Sequence, residues 1–267
     1  MIIRFFCFLL FIIISLSNVC AQDCQVSYKT LSSGDIALIA TNKSIMPYSI
    51  KLEATLKGLE SNVRLPSVSV IQASGTDTIA LFKRKKNVAS SFNYNTTIIE
   101  GNVNAKHDNN HIYELPYPTG KAYKIDQGYN GNSTHQGKYA LDFHMDEGTE
   151  ISAIRNGLVV EAIESNKKGC PEDYCAQYNN YILILHDDGT FADYSHLQKN
   201  GALVKPGEKV KAGQIIGLSG KTGIASGPHL HLEVYTMSWE GQQSIPVKYQ
   251  VKGKAILPVE GMSYLKD

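Results

Sequence analysis

Apolar and polar residues alternate along most of the chain, in short runs separated by turn residues. A period of two is typical of β-strands with one buried face, whereas a helix repeats its apolar residues every three or four positions. The runs are DIALIATN, YSIKLEATL, VRLPSVSVI and TIALFK, then GLVVEAIES, NNYILILH, TFADYSHL, QIIGLSG and HLHLEVY. Because no stretch of useful length has helical periodicity, the sequence predicts an all-β fold.

A segment rich in turn residues separates the two sets of runs. Residues 107–123, HDNNHIYELPYPTGKAY, contain two prolines and a glycine, and we expect them to form a linker and the entry to a second domain. We therefore predict a small antiparallel β-sandwich over residues 22–112 and an antiparallel β-sheet domain over residues 113–267. The histidines at 107 and 111 are expected to face solvent. The basic run 83–86 is typical of a solvated hairpin tip, with a site for an anionic polymer as the alternative.

Residues 1–21 have the composition of a cleavable secretory signal. Arg4 precedes an apolar run from Phe5 to Leu16, and Val19 and Ala21 are small residues before the expected cut. The apolar run is short for a membrane span, and an uncleaved anchor is the alternative. We therefore expect an exported protein, periplasmic or secreted, without a membrane span after cleavage.

Charge and cysteine content narrow the partners of the exported chain. Loss of Arg4 leaves 25 basic and 25 acidic residues, which argues against nucleic-acid binding because that requires concentrated positive charge. Cys170 and Cys175 bracket the short polar stretch PEDY. Oxidising conditions outside the cytoplasm favour a disulfide between them, and a metal-binding pair is the alternative. Cys24 has no predicted partner.

Histidines and one aspartate concentrate in three segments of the second domain. HQGKYALDF contains His135 and Asp142, DYSHL contains His196, and GPHLHLEV contains His229 and His231. Residues two apart in a strand project from the same face, so one strand can place a metal ligand beside a catalytic group. Catalytic zinc typically has three protein ligands and an open fourth position.

These segments, together with EGTEISAIRNGLVVEA and VKPGEKVKAGQIIGLSGKTG, resemble the M23 zinc metallopeptidases, the lysostaphin/LytM-like peptidoglycan endopeptidases. The resemblance extends from about residue 113 to residue 235. It implies one zinc ion (Zn2+) per chain bound by His135, Asp142 and His231, with His196 and His229 as the catalytic pair. Six residues separate His135 from Asp142, whereas the shorter form of the motif has three, so Asp146 is the alternative ligand.

The resemblance implies an endopeptidase that hydrolyses peptide bonds in peptidoglycan cross-links or stem peptides. One alternative is a catalytically degenerate wall-binding or activator module, which predicts missing ligands. Another is a lipoyl-like carrier, suggested by the glycine-rich turns of residues 201–223, but it gives no reason for the HLH sequence. Two histidines outside the motifs, His144 and His186, are expected to be structural. Glu233 either orients an imidazole or faces solvent.

The signal segment generates a first prediction. Cleavage after Ala21 should give a mature chain that begins at Gln22, because small residues precede the cut. Intact-mass measurement of the exported protein checks it, and a mass that includes residues 1–21 would instead support the anchor.

Overall fold

The computed structural model describes residues 23–267, so the expected signal segment lies outside the described residues. Within this range the chain forms 24 β-strands and a single short 3-10 helix, Asp173–Tyr178. The predicted all-β class is confirmed. No helix of residues 23–267 has the length and apolar character required to cross a bilayer.

The first seven strands form the predicted sandwich of two antiparallel sheets. One sheet has the order β1-β2-β6-β4 and the other the order β5-β3-β7. Their inner faces share one hydrophobic core, in which Cys24 is a buried free thiol whose pKa is raised by burial. The strands are β1 Cys24–Thr30, β2 Ile36–Asn42, β3 Tyr48–Lys57, β4 Leu59–Ser61, β5 Ser67–Ile71, β6 Thr76–Arg84 and β7 Ser91–Glu100.

The basic run 83–86 is exposed as predicted, but it is not at a hairpin tip. Its first two residues end β6, and β7 belongs to the opposite sheet, so the chain crosses between the sheets after this run. Lys85 forms an ion pair of 3.0 Å with Glu60.

A nine-stranded antiparallel sheet dominates the rest of the chain. Its order is β17-β12-β14-β15-β20-β10-β9-β24, and β21 pairs with β20. Smaller sheets have the orders β11-β18-β16, β13-β19 and β23-β22-β8, and only the pairs β13/β19 and β22/β8 of the described strands are parallel. The strands are β8 Ile112–Tyr113, β9 Ala122–Gln127, β10 Ala140–Phe143, β11 Glu150–Ser152, β12 Gly157–Ile163, β13 Gly169–Cys170, β14 Tyr181–Leu185, β15 Phe191–Ser195, β16 Leu197–Ala202, β17 Lys209–Val210, β18 Ile215–Ser219, β19 Gly223–Ile224, β20 Leu230–Ser238, β21 Gly241–Ser244, β22 Lys248–Val251, β23 Lys254–Ile256 and β24 Ser263–Leu265.

The predicted linker contributes to the core of this second part. Tyr113, Leu115 and Tyr117 are fully buried there. Large residues alternate across residues 113–117, YELPY, which is typical of a strand with one buried face, but the nearby prolines favoured a linker. His107 and His111 are half-buried, and both rings pack against Tyr113. The expectation that they face solvent is therefore wrong. The domain boundary after residue 112 stays a prediction.

The disulfide between Cys170 and Cys175 is confirmed, with a Cα–Cα distance of 5.8 Å. It joins β13 to the 3-10 helix, and we call residues 169–178 the disulfide loop. Through β13 this loop pairs in parallel with β19. The bond therefore holds β13 next to the 3-10 helix, close to Pro171 and Asn179, which line the cleft of the candidate site.

His186 packs inside the second core, as expected for a structural histidine. Thr190 Oγ1 donates to Asp188 Oδ1 and therefore accepts from the Nδ1 of His186, 2.9 Å away. The Nε2 of His186 is buried without a partner. Burial and, to a lesser extent, the positive charge of Arg155 lower the pKa of His186 to about 3.

This burial makes stability depend on pH. Because the folded pKa of about 3 lies below the unfolded value of about 6.5, acid protonates the unfolded chain first. We expect this one group to lower the free energy of unfolding by about 2 kcal/mol between about pH 7.5 and about pH 5. Urea unfolding of wild type and His186→Phe at both pH values checks it. Other histidines titrate in both proteins, so the comparison isolates His186. An equal change in the free energy of unfolding between the two pH values in both proteins would contradict the prediction.

Candidate active site

Antiparallel pairing of two strands sets the centre of the site. Asp142 on β10 is the register partner of His231 on β20, and Ser195 on β15 is the partner of His231 on its other side. The alternate residues Leu141, Leu230 and Leu232 face the core. Burial of these apolar neighbours therefore turns the Asp142 and His231 side chains to the opposite face of the sheet.

Three potential metal ligands meet on this face. The Oδ1 of Asp142 lies 2.9 Å from His231 Nδ1 and 3.2 Å from His135 Nε2. The two ring nitrogens are 3.3 Å apart. Of the described residues, these three form the one group of His, Cys, Asp or Glu side chains close enough to hold a metal ion. Asp146 is exposed and lies outside this group.

Polar contacts away from this centre orient each potential ligand. His135 is fully buried in the loop before β10, and its Nδ1 bonds to Gly128 O at 3.0 Å, which leaves Nε2 directed at Asp142. His231 Nε2 lies 3.8 Å from Glu233 Oε2, and Gln127 Nε2 donates to Asp142 Oδ2 at 2.9 Å. Such outer contacts fix the tautomer and ring orientation of metal-binding histidines.

The two proposed catalytic histidines are held in the same way. His196 Nδ1 lies 2.7 Å from Thr222 O, and His229 Nδ1 lies 2.9 Å from Gly227 O. A carbonyl can only accept, so both Nδ1 atoms donate and both Nε2 atoms carry the lone pair in the neutral form. The two rings are 4.6 Å apart, and His229 Nε2 is 3.9 Å from Asp142 Oδ1. His229 immediately precedes β20 and shares the face of His231.

Burial and neighbouring polar groups shift the pKa values of Asp142 and His231 in opposite directions. Burial raises the pKa of Asp142, but the hydrogen bonds from His135 and His231 outweigh it and hold this pKa well below its usual range. Burial lowers the pKa of His231, but its bonds with Asp142 and Glu233 raise it to about 9. Burial also lowers the pKa of His196 to about 3. A carboxylate that stays ionised is available as a ligand.

The group opens into a cleft of about 730 Å³, large enough to admit part of a peptide. Its floor carries Asp142, His196, His229 and His231, whereas His135 is fully buried beneath them. Its lining also includes Thr134, Lys138, Pro171 of the disulfide loop, and Asn179, the residue directly after that loop. The predicted site residues therefore lie together at a solvent-accessible position.

Three residues of this arrangement escaped the sequence prediction. Gln127 contacts Asp142, Gly128 holds His135, and Asn179 accepts a hydrogen bond from the backbone of His196. None lies within a recognised motif. Gln127 is the last residue of β9 and the register partner of Asp142 on β10. Its place at the end of a strand is the one feature that could have indicated a contact with the site. Roles in metal binding and catalysis stay predictions for all site residues.

The model of peptidase family M23 matches residues 136–246. The match begins directly after His135 and includes Asp142, His196, His229 and His231. It covers β10 to β21, and it leaves β9, β24 and the N-terminal sandwich outside.

Individual proteins also match part of the chain. Glycyl-glycine endopeptidase ALE-1 of Staphylococcus capitis is 39% identical over 125 residues, 46% of this chain and 28% of that protein. Peptidoglycan DD-endopeptidase ShyA of Vibrio cholerae is 34% identical over 124 residues, 44% of this chain and 26% of that protein. The catalytic domain of the antimicrobial peptidase lysostaphin from Staphylococcus simulans has 35% identity and a TM-score of 0.34, covering 46% of this chain and 87% of that domain.

The chain spans less than half the length of these two endopeptidases, so the similarity concerns a domain rather than whole proteins. The family match includes β10, β15 and β20, the strands that carry the site. Residues 136–246 of this chain are a peptidase family M23 domain.

Proposed function

We propose that the chain is a zinc-dependent endopeptidase that hydrolyses peptide bonds in peptidoglycan cross-links or stem peptides. The observation that carries the proposal is one juxtaposition. Three ligand atoms lie within 4.8 Å of one another, and two further imidazoles stand beside them on the floor of an open cleft.

The residues present fit zinc. Two imidazoles and one carboxylate are a typical N/O ligand set for a catalytic zinc ion with an open fourth position. His135 Nε2, Asp142 Oδ1 and His231 Nδ1 would hold one ion per chain. Bound zinc makes water nucleophilic near neutral pH and polarises a carbonyl group. None of the three ligands is missing, whereas the degenerate alternative predicts a missing one.

His196 and His229 would transfer protons. In their neutral tautomers both present an Nε2 lone pair on the side of the ligands, so each can accept a proton from water. The histidine that takes this proton can return it to the amine released from the cleaved bond. Proton acceptance and stabilisation of the developing negative charge therefore belong to this pair of residues.

Peptidoglycan is the substrate class that the relatives support. ShyA is named for a peptidoglycan DD-endopeptidase activity and ALE-1 for a glycyl-glycine endopeptidase activity. Cleavage of the wall requires export, in agreement with the signal expected at residues 1–21 and with the disulfide. We also propose residues 22–112 and 113–267 as the two domains, since each part has its own hydrophobic core.

The ligand assignment predicts which substitutions cost zinc. Asp142→Ala and His231→Ala should lose zinc, because each removes one of three protein ligands. The loss should exceed the roughly 10–100-fold change in affinity expected when only an outer contact is removed. His229→Ala should keep zinc near the wild-type content, and Asp146→Ala is the matched carboxylate control.

Zinc is measured by elemental mass spectrometry after dialysis against a weak chelator. Equal zinc loss in His229→Ala and His231→Ala would make His229 a ligand. Zinc loss in Asp146→Ala with retention in Asp142→Ala would reassign the carboxylate.

The proposed chemistry predicts release of peptide fragments from purified cell walls by the zinc-loaded mature chain. His196→Ala and His229→Ala should each lower kcat by about 10²–10⁴-fold, the usual contribution of a positioned acid or base. His144→Ala is the control, because its exposed ring pairs with Asp126 at 2.6 Å and lies outside the ligand group.

Mass spectrometry of the released fragments identifies the bond that is cut. A zinc-loaded wild-type chain that binds walls but releases no peptide from any of several wall types would favour the degenerate alternative.

A further inference from the structure

His196 has a backbone conformation that needs support. Its φ is +67°, in the left-handed region that residues with a Cβ rarely adopt. The residue stands between β15 and β16, at the point where the chain leaves the nine-stranded sheet. Its ring reaches the cleft only while this turn is maintained.

The side chain of Asn179 holds the turn from one side. Its Oδ1 accepts the backbone N–H of His196 at 3.1 Å, and its Nδ2 donates to Ser195 Oγ at 2.9 Å. Ser195 Oγ in turn donates to Asp193 Oδ1 at 2.7 Å. One amide group therefore binds two consecutive residues, and both of its polar atoms are used.

The ring of His196 is held from the other side by the segment that begins β19. Thr222 O accepts from its Nδ1, and β19 follows directly. A Cβ added at Gly223 would lie 2.9 Å from the Cβ of Asn179, so these two segments are in close contact. The absence of a side chain at Gly223 allows Asn179 to approach His196.

The disulfide loop connects both supports. Its β13 strand pairs with β19, and its 3-10 helix ends at Tyr178, directly before Asn179. The backbone N–H of Asn179 bonds to Ala176 O at 3.1 Å, and Cys175 in the same helix is buried and bonded to Cys170. The loop therefore contributes to the position of Asn179.

We propose that Asn179 is a positioning residue, which keeps His196 in the left-handed turn and its imidazole directed at the reacting centre. The inference rests on the proposed function, because it assumes that His196 transfers protons there. Asn179 is not assigned a contact with the metal, and its effect on catalysis passes through His196.

Substitution of Asn179 in the full mature chain tests this inference. Asn179→Ala should lower kcat about 10–100-fold, the usual effect of losing an outer contact of a site, with KM and zinc content unchanged. Asn179→Asp keeps an acceptor for the His196 N–H and should retain more kcat than Asn179→Ala. Gln177→Ala is the matched control, because this exposed amide of the same helix bonds only to Tyr174 O.

A double-mutant comparison separates positioning from a general structural role. In a His196→Ala background, Asn179→Ala should produce no further loss of kcat. An equal loss in both backgrounds would overturn the proposal, as would a raised KM with unchanged kcat, which would indicate direct substrate contact. Equal losses in Asn179→Asp and Asn179→Ala would also overturn it.

Nitrogen NMR of the histidine rings keeps this test separate from the proposed function. In the zinc-loaded wild-type chain, His196 should show a protonated Nδ1, and Asn179→Ala should shift its ring signals while Gln177→Ala should not. An unchanged His196 spectrum in Asn179→Ala overturns the positioning role. If Asn179→Ala shifts the His196 signals but the wild-type chain cleaves no wall peptide, only the proposed function is contradicted.

Discussion

The pairing of β10 with β20 is the constraint on which the site depends. It puts Asp142 and His231 directly opposite each other, and opposite residues of an antiparallel pair keep their Cβ atoms about 4.5–5.5 Å apart. A slip of β20 by one residue would turn His231 into the core and expose Leu230 and Leu232 on the opposite face. The hydrophobic core therefore fixes the register, and the register fixes the distance between carboxylate and imidazole. The geometry of these two proposed ligands therefore results from the burial of their apolar neighbours.

The same face of the sheet also receives the N-terminal sandwich. Beyond Glu233, the next residues on that face of β20 are Tyr235 and Met237, which join an apolar cluster with Met46 of the sandwich. A Cβ at Gly101 would lie 2.9 Å from the Met237 side chain, which shows how closely the two parts approach. One sheet face thus has a polar half with the ligands and an apolar half covered by the sandwich.

Strand periodicity and motif content were sufficient to predict the all-β fold and to select the residues that meet in the cleft. His229 and His231 could be paired from the sequence because a period of two is a local property. The contact of Asn179 with His196 could not, because the partners come from a loop and a turn that only the folded chain brings together. The burial of Tyr113 was missed for a related reason, since prolines within a short run conceal alternation.

His135 differs from the other two proposed ligands because no strand carries it. Gly128 O and the Lys138 N–H, which donates to His135 O at 2.9 Å, hold it within the loop between β9 and β10. Its place in the site is therefore set by contacts within the loop and not by strand register. A Cβ at Gly137 would meet no atom within 4 Å, so the loop has room for inserted residues there. A search pattern for distant relatives should accordingly keep the spacing of HLH invariant and leave the gap between the first histidine and the aspartate open.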